Sequence, residues 1–396
     1  MGPMIFVQFA AGLALLIAGG ESLVRGASRL AAVLGVSPLV IGLTVVAFGT
    51  SSPELAVSVE AALSGQADIA LGNVVGSCIL NVLLILGLSS LISPLVVAQR
   101  MVRVDVPLMI AVGLVVCVFA MDRLIMRLEG VVLFAGIVGY VVVAVIQSRR
   151  ESRQVEAEYA QEYAGRGRLT WRSLLVNTLL IVAGLIALAA GSAWLVEAAV
   201  NLAVALHVGK VVIGLTVVSI GTSLPEIVTT VIAGLRGERD IAVGNIVGSN
   251  LFNLLAVLGA AGIVAPQGIA VPQSVLQFDL PVMVVTMVAC LPIFFTGYRI
   301  ARWEGALFLG YYAAYTAYLI LDAMRSDSLR VLSDVILYFA APLTVITLAV
   351  VTWRSARRAI RDTRSVSDRA EGADQLAQTT PHPAPSGSAE QDKSYS

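Results

Sequence analysis

Long apolar runs separated by short polar breaks recur along almost the whole chain. A helix that crosses a bilayer needs roughly 20 consecutive apolar residues. By that measure the pattern predicts eleven spans, near 4–24, 37–63, 69–92, 104–121, 128–147, 173–199, 210–235, 241–264, 278–297, 303–322 and 335–353. Between spans five and six, residues 148–172 are charged and Gln-rich, and Glu156 to Tyr163 are expected to form a short surface helix. From about residue 365 the chain turns polar and rich in Pro and Ser. That tail cannot bury a core and is expected to be disordered.

Basic residues divide the breaks into two classes. Arg25 and Arg29 follow span one, Arg100 and Arg103 span three, and six arginines from Arg149 to Arg172 span five. Arg236 and Arg239 follow span seven, Arg299 and Arg302 span nine, and Arg354, Arg357, Arg358 and Arg361 span eleven. All are odd-numbered exits. The even exits carry few cations, mostly beside acids. Cytoplasmic loops carry the excess of Lys and Arg, so the N-terminus is expected outside and the C-terminus in the cytoplasm. Met1 to Gln8 lacks a basic stretch before its apolar run, which reads as a first span and not a cleaved leader. Phe6 stands where myristoylation needs Ser or Thr.

Composition agrees: 58% of residues are hydrophobic and 13% charged, against roughly 25% charged in soluble domains. The chain reads as a polytopic membrane protein. No domain is basic as a whole, so no nucleic-acid partner is expected. Cys78, Cys117 and Cys290 lie scattered in apolar segments and form neither a disulfide framework nor a metal spacing.

The strongest signal is an internal repeat. Residues 42–87 laid on 214–259 without a gap match at 26 of 46 positions. More loosely, Asp105 and Pro107 answer Asp279 and Pro281, and Arg127, Glu129 and Gly130 answer Arg302, Glu304 and Gly305. Each unit holds five spans. Five is odd, so the second unit starts on the opposite side of the membrane. The expected fold is therefore all-α: two inverted five-helix repeats, a ten-span core, plus an extra C-terminal span. In such architectures the substrate site lies near the midplane between the halves. The domains follow as 1–147 for the first repeat, 148–172 for a cytoplasmic connection and 173–322 for the second repeat. An accessory span (323–353) and a basic, then disordered cytoplasmic tail (354–396) complete the chain.

Each repeat carries chemistry where hydrocarbon is expected. Gly49-Thr50-Ser51-Ser52-Pro53-Glu54 and Gly221-Thr222-Ser223-Leu224-Pro225-Glu226 each place a carboxylate in an apolar run, which marks a functional site by default. Pro53 and Pro225 remove the helical partners of the Gly49 and Gly221 carbonyls. Freed carbonyls are tolerated at this depth only when buried in protein or lining a wet cavity. Thr50, Ser51 and Glu54 would share one face of a regular helix. In the next span of each half, Gly72 and Gly76, like Gly244 and Gly248, have the spacing that lets helix backbones approach closely. Ser77 and Asn81, and Ser249 and Asn253, lie one turn apart on a face. Carboxylate, hydroxyl, amide and backbone oxygens suit hard cations. Ca²⁺ takes 6–8 oxygens in flexible geometry, and two carboxylates match its charge.

The paired GTSxPE and GNxxGSxxxN segments in this arrangement resemble the alpha repeats of the cation/calcium exchanger superfamily, in particular its bacterial and archaeal sodium/calcium antiporters. The resemblance covers about 4–322 and implies the plasma (inner) membrane of a prokaryote. It implies alternating access, with Na⁺ movement driving Ca²⁺. It also implies that Glu54 and Glu226 bind Ca²⁺ and share Na⁺. Thr50, Thr222, Ser51, Ser223, Ser77, Ser249 and Asn81 then complete the ion sites, with backbone carbonyls at Ala47 and Ser219. Two positions depart from the pattern. Asn253 stands where some members carry Asp, and Cys78 replaces the Asn found at Asn250.

Other polar residues have plainer expected roles. Asn73 and Asn245 bond between helices. Asp68, Asp240, Asp105 and Asp279 open spans, where they cap helices or set topology. Glu60 is interfacial, His207 is at the surface, and Tyr311, Tyr312, Tyr315 and Tyr318 pack or face lipid. Na⁺/Ca²⁺ antiport is the leading function. Ca²⁺/H⁺ antiport on the same scaffold competes with it, since a close carboxylate pair also attracts protons. An intramembrane enzyme using the Glu pair lacks an accompanying nucleophile, His or metal motif. No catalytic residue, cofactor or protein partner is expected. Ca²⁺ and Na⁺ are the substrates, and the lipid bilayer is the surroundings.

Overall fold

The computed structural model describes residues 3–163, 171–205, 219–295 and 298–324. Span eleven, the tail, His207, Lys210 and the first part of span seven (210–218) lie outside the described residues, as does the Ser219 side chain. Among the described residues the fold is helical, with four two-residue strands. Eight helices are long and apolar enough to cross a membrane, and a bent pair makes a ninth span. In order they are α1 (Pro3–Leu34), the bent pair α2 (Pro38–Thr50) and α3 (Ser52–Leu63), α4 (Ala67–Ile92), α5 (Met101–Phe119), α6 (Arg127–Tyr163) and α7 (Trp171–Ala205). A helical turn α8 (Ser219–Thr222) then leads into α9 (Leu224–Leu235), α10 (Arg239–Val264), α11 (Val275–Phe294) and α12 (Arg302–Ala323).

Helix lengths differ from the hydrophobic runs. The first span was expected to end at residue 24, but α1 continues for 32 residues, so Arg25 and Arg29 lie on the helix and not in a loop. Loss of hydrophobicity does not end a helix. Gly35 does, with φ of 62°, the left-handed conformation that stops helices after their last turn. Likewise α6 runs unbroken for 37 residues. Glu156 to Tyr163 are its C-terminal end and not a separate surface helix, because Arg, Glu, Gln and Ala after residue 148 are all good helix formers.

At the centre lie α4 and α10. Some 72% of the apolar window of α4 and 89% of that of α10 is buried, against 6% for α12. Gly, Ser and Asn replace bulky residues along both helices and let other backbones come near. A Cβ built on Gly248 would lie 2.7 Å from the Leu43 carbonyl oxygen, and one on Gly244 would lie 2.9 Å from that of Leu39. These two glycines thus make the close approach their spacing predicts, against α2. No described residue lies within 4 Å of the corresponding positions on Gly72 and Gly76.

Equivalent parts of the two sequence repeats contact each other reciprocally. Gly12 packs on Gly191 and Gly19 on Gly184, holding α1 against α7. Gly130 of α6 meets Gly259 of α10, and Gly305 of α12 meets Gly87 of α4. The strands do the same. β1 (Leu95–Val96) pairs antiparallel with β4 (Arg299–Ile300), and β2 (Leu124–Ile125) with β3 (Ile269–Ala270). Two tight turns also recur: Met126 N–H donates to Glu129 Oε2 at 2.7 Å, and Ala301 N–H donates to Glu304 Oε2 at 2.7 Å.

The carboxylates at span starts have fates that their sequence positions did not reveal. Asp68 and Asp240 lie in first helical turns, as expected, where a negative charge is favourable. Asp105 is fully buried and accepts a bond from Tyr140 Oη at 3.2 Å, with Arg100 Nε 3.9 Å away. Asp279 accepts one from Tyr315 Oη at 2.9 Å. The expected capping role is therefore corrected. In each half this Asp ties its own helix to the next one, α5 to α6 and α11 to α12, and Tyr315 is a partner and not merely packing. Glu60 is exposed near the C-terminal end of α3.

Candidate functional site

The two motif copies meet through their broken turns. Between α2 and α3 the axis bends by 46°. Ser51 at this corner has φ −82° and ψ 6°, and Ser223 before α9 has φ −92° and ψ 7°. Both are in the sparsely allowed bridge region, which lets the chain turn just before each Pro. Each Glu then lies in the first turn of the following helix, where the helix dipole favours a negative charge. The bend corrects one expectation. Thr50, Ser51 and Glu54 do not share a face of one regular helix; they stand around a corner and reach different partners.

Those partners lie in the other copy. Ser51 Oγ donates to Glu226 Oε1 at 3.1 Å, and Ser223 Oγ donates to Glu54 Oε1 at 3.1 Å. The two bonds are the same bond exchanged between repeats. Ser223 Oγ also lies 3.4 Å from Ser77 Oγ. Thr50 Oγ1 donates to Asn245 Oδ1 at 3.2 Å. Thr222 is half-buried. Asn81 Nδ2 donates to Asn250 Oδ1 at 3.0 Å, joining α4 to α10. All of these residues except Thr222, together with Ser249 and Asn253, are at most 4% exposed.

Five oxygens in this set are buried without a hydrogen-bond partner: Glu54 Oε2, Glu226 Oε2, Asn81 Oδ1, Ser249 Oγ and Asn253 Oδ1. A buried polar group without a partner is costly, and a buried carboxylate more so. Oxygens left this way have the chemistry of cation ligands. Among the described residues no group of three or more His, Cys, Asp and Glu side chains is placed to hold a metal ion. The donor set is two carboxylates with neutral oxygens, which suits a hard cation exchanged with water more than a permanently held transition metal.

Backbone oxygens are divided unequally. The Ala47 carbonyl accepts Ser51 N–H at 3.0 Å. The Gly221 carbonyl, which Pro225 leaves without its helical N–H, accepts Ser192 Oγ of α7 at 2.5 Å. Ser192 aligns with Gly20 in the first repeat, so Gly49 has no equivalent partner from α1.

Several residues close to the site do more than their sequence positions predict. Asn73 Nδ2 donates to Ser58 Oγ at 2.9 Å and to the Glu54 carbonyl at 3.3 Å, while Asn245 Nδ2 donates to Thr230 Oγ1 at 3.0 Å. These are the expected interhelical bonds, but they also hold Thr50 and the backbone of Glu54 in place. The available signal was that both Asn residues recur with a hydroxyl fifteen residues before them. Asn250 was noted only as a contrast to Cys78, yet it is the partner of Asn81. Cys78 is fully buried, its Sγ 3.9 Å from the Asn250 carbonyl. The pairing equivalent to Asn81–Asn250 would join Asn253 to position 78. A thiol is a poor partner there, which accounts for the unpaired Asn253 amide.

A family model described as sodium/calcium exchanger protein matches residues 4–147 and 176–321. The sodium/calcium exchanger MaX1 of Methanosarcina acetivorans is 32% identical over 341 residues, covering 78% of this chain and 97% of its own. Inner membrane protein YrbG of Escherichia coli is 37% identical over 259 residues, covering 64% of this chain and 78% of its own. A solved structure of the sodium-calcium exchanger NCX_Mj superposes with a TM-score of 0.69 at 29% identity, covering 81% of this chain and all of that one. With its paired motifs and multi-pass helical fold, the chain belongs to the sodium/calcium exchanger protein family of membrane antiporters.

Proposed function

We propose that this protein is a secondary active antiporter that exchanges Na⁺ for Ca²⁺ by alternating access, at one oxygen-lined site shared by both repeats. The observation that carries the reading is the reciprocal pair Ser51–Glu226 and Ser223–Glu54, with an unpartnered carboxylate oxygen left on each Glu. Glu54 and Glu226 supply the charge. Thr50, Ser51, Thr222, Ser223, Ser77, Asn81, Ser249 and Asn253 supply neutral oxygens. MaX1 and NCX_Mj are both named sodium/calcium exchangers, which supports the same ion pair.

The accompanying architecture is two inverted five-span repeats, 1–147 and 173–322, joined by a cytoplasmic connection at 148–172. An accessory eleventh span and a cytoplasmic tail follow, with the N-terminus outside. Exchange of reciprocal contacts such as β1–β4 and β2–β3 supports two-fold related halves. Alternating access then needs no second site. Interconversion of the two halves' conformations exposes the same Glu pair first to one face and then to the other.

A second reading is Ca²⁺/H⁺ exchange, favoured by the same unpartnered carboxylate oxygens, each of which can take a proton. Ca²⁺ flux in proteoliposomes separates the two. An imposed Na⁺ gradient should drive Ca²⁺ uptake, and an imposed pH gradient should not. Uptake that follows pH and ignores Na⁺ establishes the second reading instead. No ion-coupled flux under either gradient defeats both.

A further inference from the structure

Beside the site lies an open cavity of about 650 Å³. Gly49 and Pro53 of one break, and Thr222 and Pro225 of the other, form one side. The other side is α7, from Leu185 to Glu197. The cavity therefore touches both broken turns, including one proposed ligand, Thr222. Its described lining is largely apolar. The polar side chains are Ser52, Ser192, Thr222 and Glu197, and Glu197 is the charged one.

Glu197 sits in the C-terminal part of a 35-residue apolar helix, where a carboxylate is expensive unless it faces water or a partner. It is exposed at the cavity wall. Its Oε2 accepts a bond from Gln8 Nε2 of α1 at 2.6 Å. That bond comes from the N-terminal part of α1, so Glu197 is held at one end of the bundle by the opposite repeat. The offset of 172 residues that aligns 42 with 214 aligns Glu197 with Arg25. Arg25 is itself paired with Glu21 at 2.6 Å. Equivalent positions in the two repeats thus carry opposite charges.

We propose that Glu197 is a cation-recruiting residue at the mouth of this cavity, acting on hydrated Na⁺ and Ca²⁺ from one face of the membrane only. The proposal rests on the exchange reading above. A cation that leaves water for Glu54 and Glu226 must pass an apolar wall. A carboxylate at the rim of a low-dielectric cleft raises the local cation concentration before that step, and does so less at high salt. It does not bind the ion at the transport site, so it changes how soon the site fills and not how fast the filled transporter turns over.

The test is Ca²⁺ flux by the full chain in proteoliposomes, with Ca²⁺ offered separately to each face. Glu197→Gln keeps the size of the side chain and removes its charge; Glu197→Lys reverses it. For Glu197→Gln, half-saturation by Ca²⁺ should rise roughly tenfold at low ionic strength on the face where α1 begins. The shift should shrink at high choline chloride, with maximal rate unchanged and the other face unaffected. Glu197→Lys should shift it further in the same direction. Unchanged half-saturation at low salt, an equal shift from both faces, or a loss confined to maximal rate overturns the proposal. Wild-type vesicles that move no Ca²⁺ under any gradient overturn the exchange reading, and this inference with it.

Discussion

The two copies of the motif share their chemistry and differ in their support. At the centre they are interchangeable: Ser51 bonds Glu226 as Ser223 bonds Glu54, with the same distance of 3.1 Å. One layer out, the symmetry fails. Ser192 caps the Gly221 carbonyl while the aligned residue, Gly20, cannot cap Gly49. Asn81 finds Asn250, whereas Asn253 has only Cys78 at the equivalent place. Asp105 is sealed in beside Arg100, whereas Asp279 is partly exposed and Ser274 aligns with Arg100. On the proposed exchange reading, a site that serves two faces keeps its ligands matched. The scaffold around it has no such constraint, and differences there can make the two conformations unequal in energy.

The largest effects should break the matched centre. Glu54→Gln and Glu226→Gln are each expected to reduce Ca²⁺ flux to background while the protein keeps its melting temperature in detergent to within a few degrees. Near-normal transport by either variant would end the idea of equivalent ligands. Next comes packing between copies. Gly248→Ala forces a Cβ against the Leu43 backbone and the Ala47 Cβ. Overpacking of this kind costs about 1–3 kcal/mol, so its melting temperature should fall clearly below that of wild type.

Smaller effects should sharpen the asymmetry. Tyr140→Phe strips a fully buried carboxylate of a donor, at about 1–3 kcal/mol. Tyr315→Phe strips a partly exposed one and should cost less; equal melting temperatures for the two would contradict the difference described between the halves. Ser192→Ala removes the cap on Gly221 and should cost about 1 kcal/mol. At the small end is Arg236→Ala. Arg236 bonds Glu21 of α1 through Nε at 2.5 Å, and Ser28 Oγ bonds Glu238 at 2.6 Å in the same turn. The ion pair is about one-third exposed on each side, so its loss should cost under roughly 1 kcal/mol.

Much of this was legible in the sequence. Span positions follow from apolar length, which the bilayer demands, and the paired Gly-Thr-Ser-x-Pro-Glu segments stand out because carboxylates are costly there. Span ends were less legible. Hydropathy reports where lipid ends, but Gly35 decides where α1 ends, and the helix-forming residues after 148 carry α6 onward. The supporting residues were hidden for a different reason. Asn73, Asn245 and Asn250 look like ordinary interhelical amides until their partners are known. Ser192 and Glu197 lie outside the near-identical stretch, so the repeat gave them no emphasis.

The sequence by itself determined the class of the protein, the repeat and the inventory of candidate oxygen ligands, because each follows from local composition and spacing. Only the tertiary structure decided which oxygens are satisfied and which are not. That depends on pairs far apart in the chain: Ser51 with Glu226, Ser223 with Glu54, Asn81 with Asn250 and Ser192 with Gly221. Packing brings them within hydrogen-bond range, and it leaves buried polar atoms unpaired on Glu54, Glu226, Asn81, Ser249 and Asn253, which is where the proposed cation site lies.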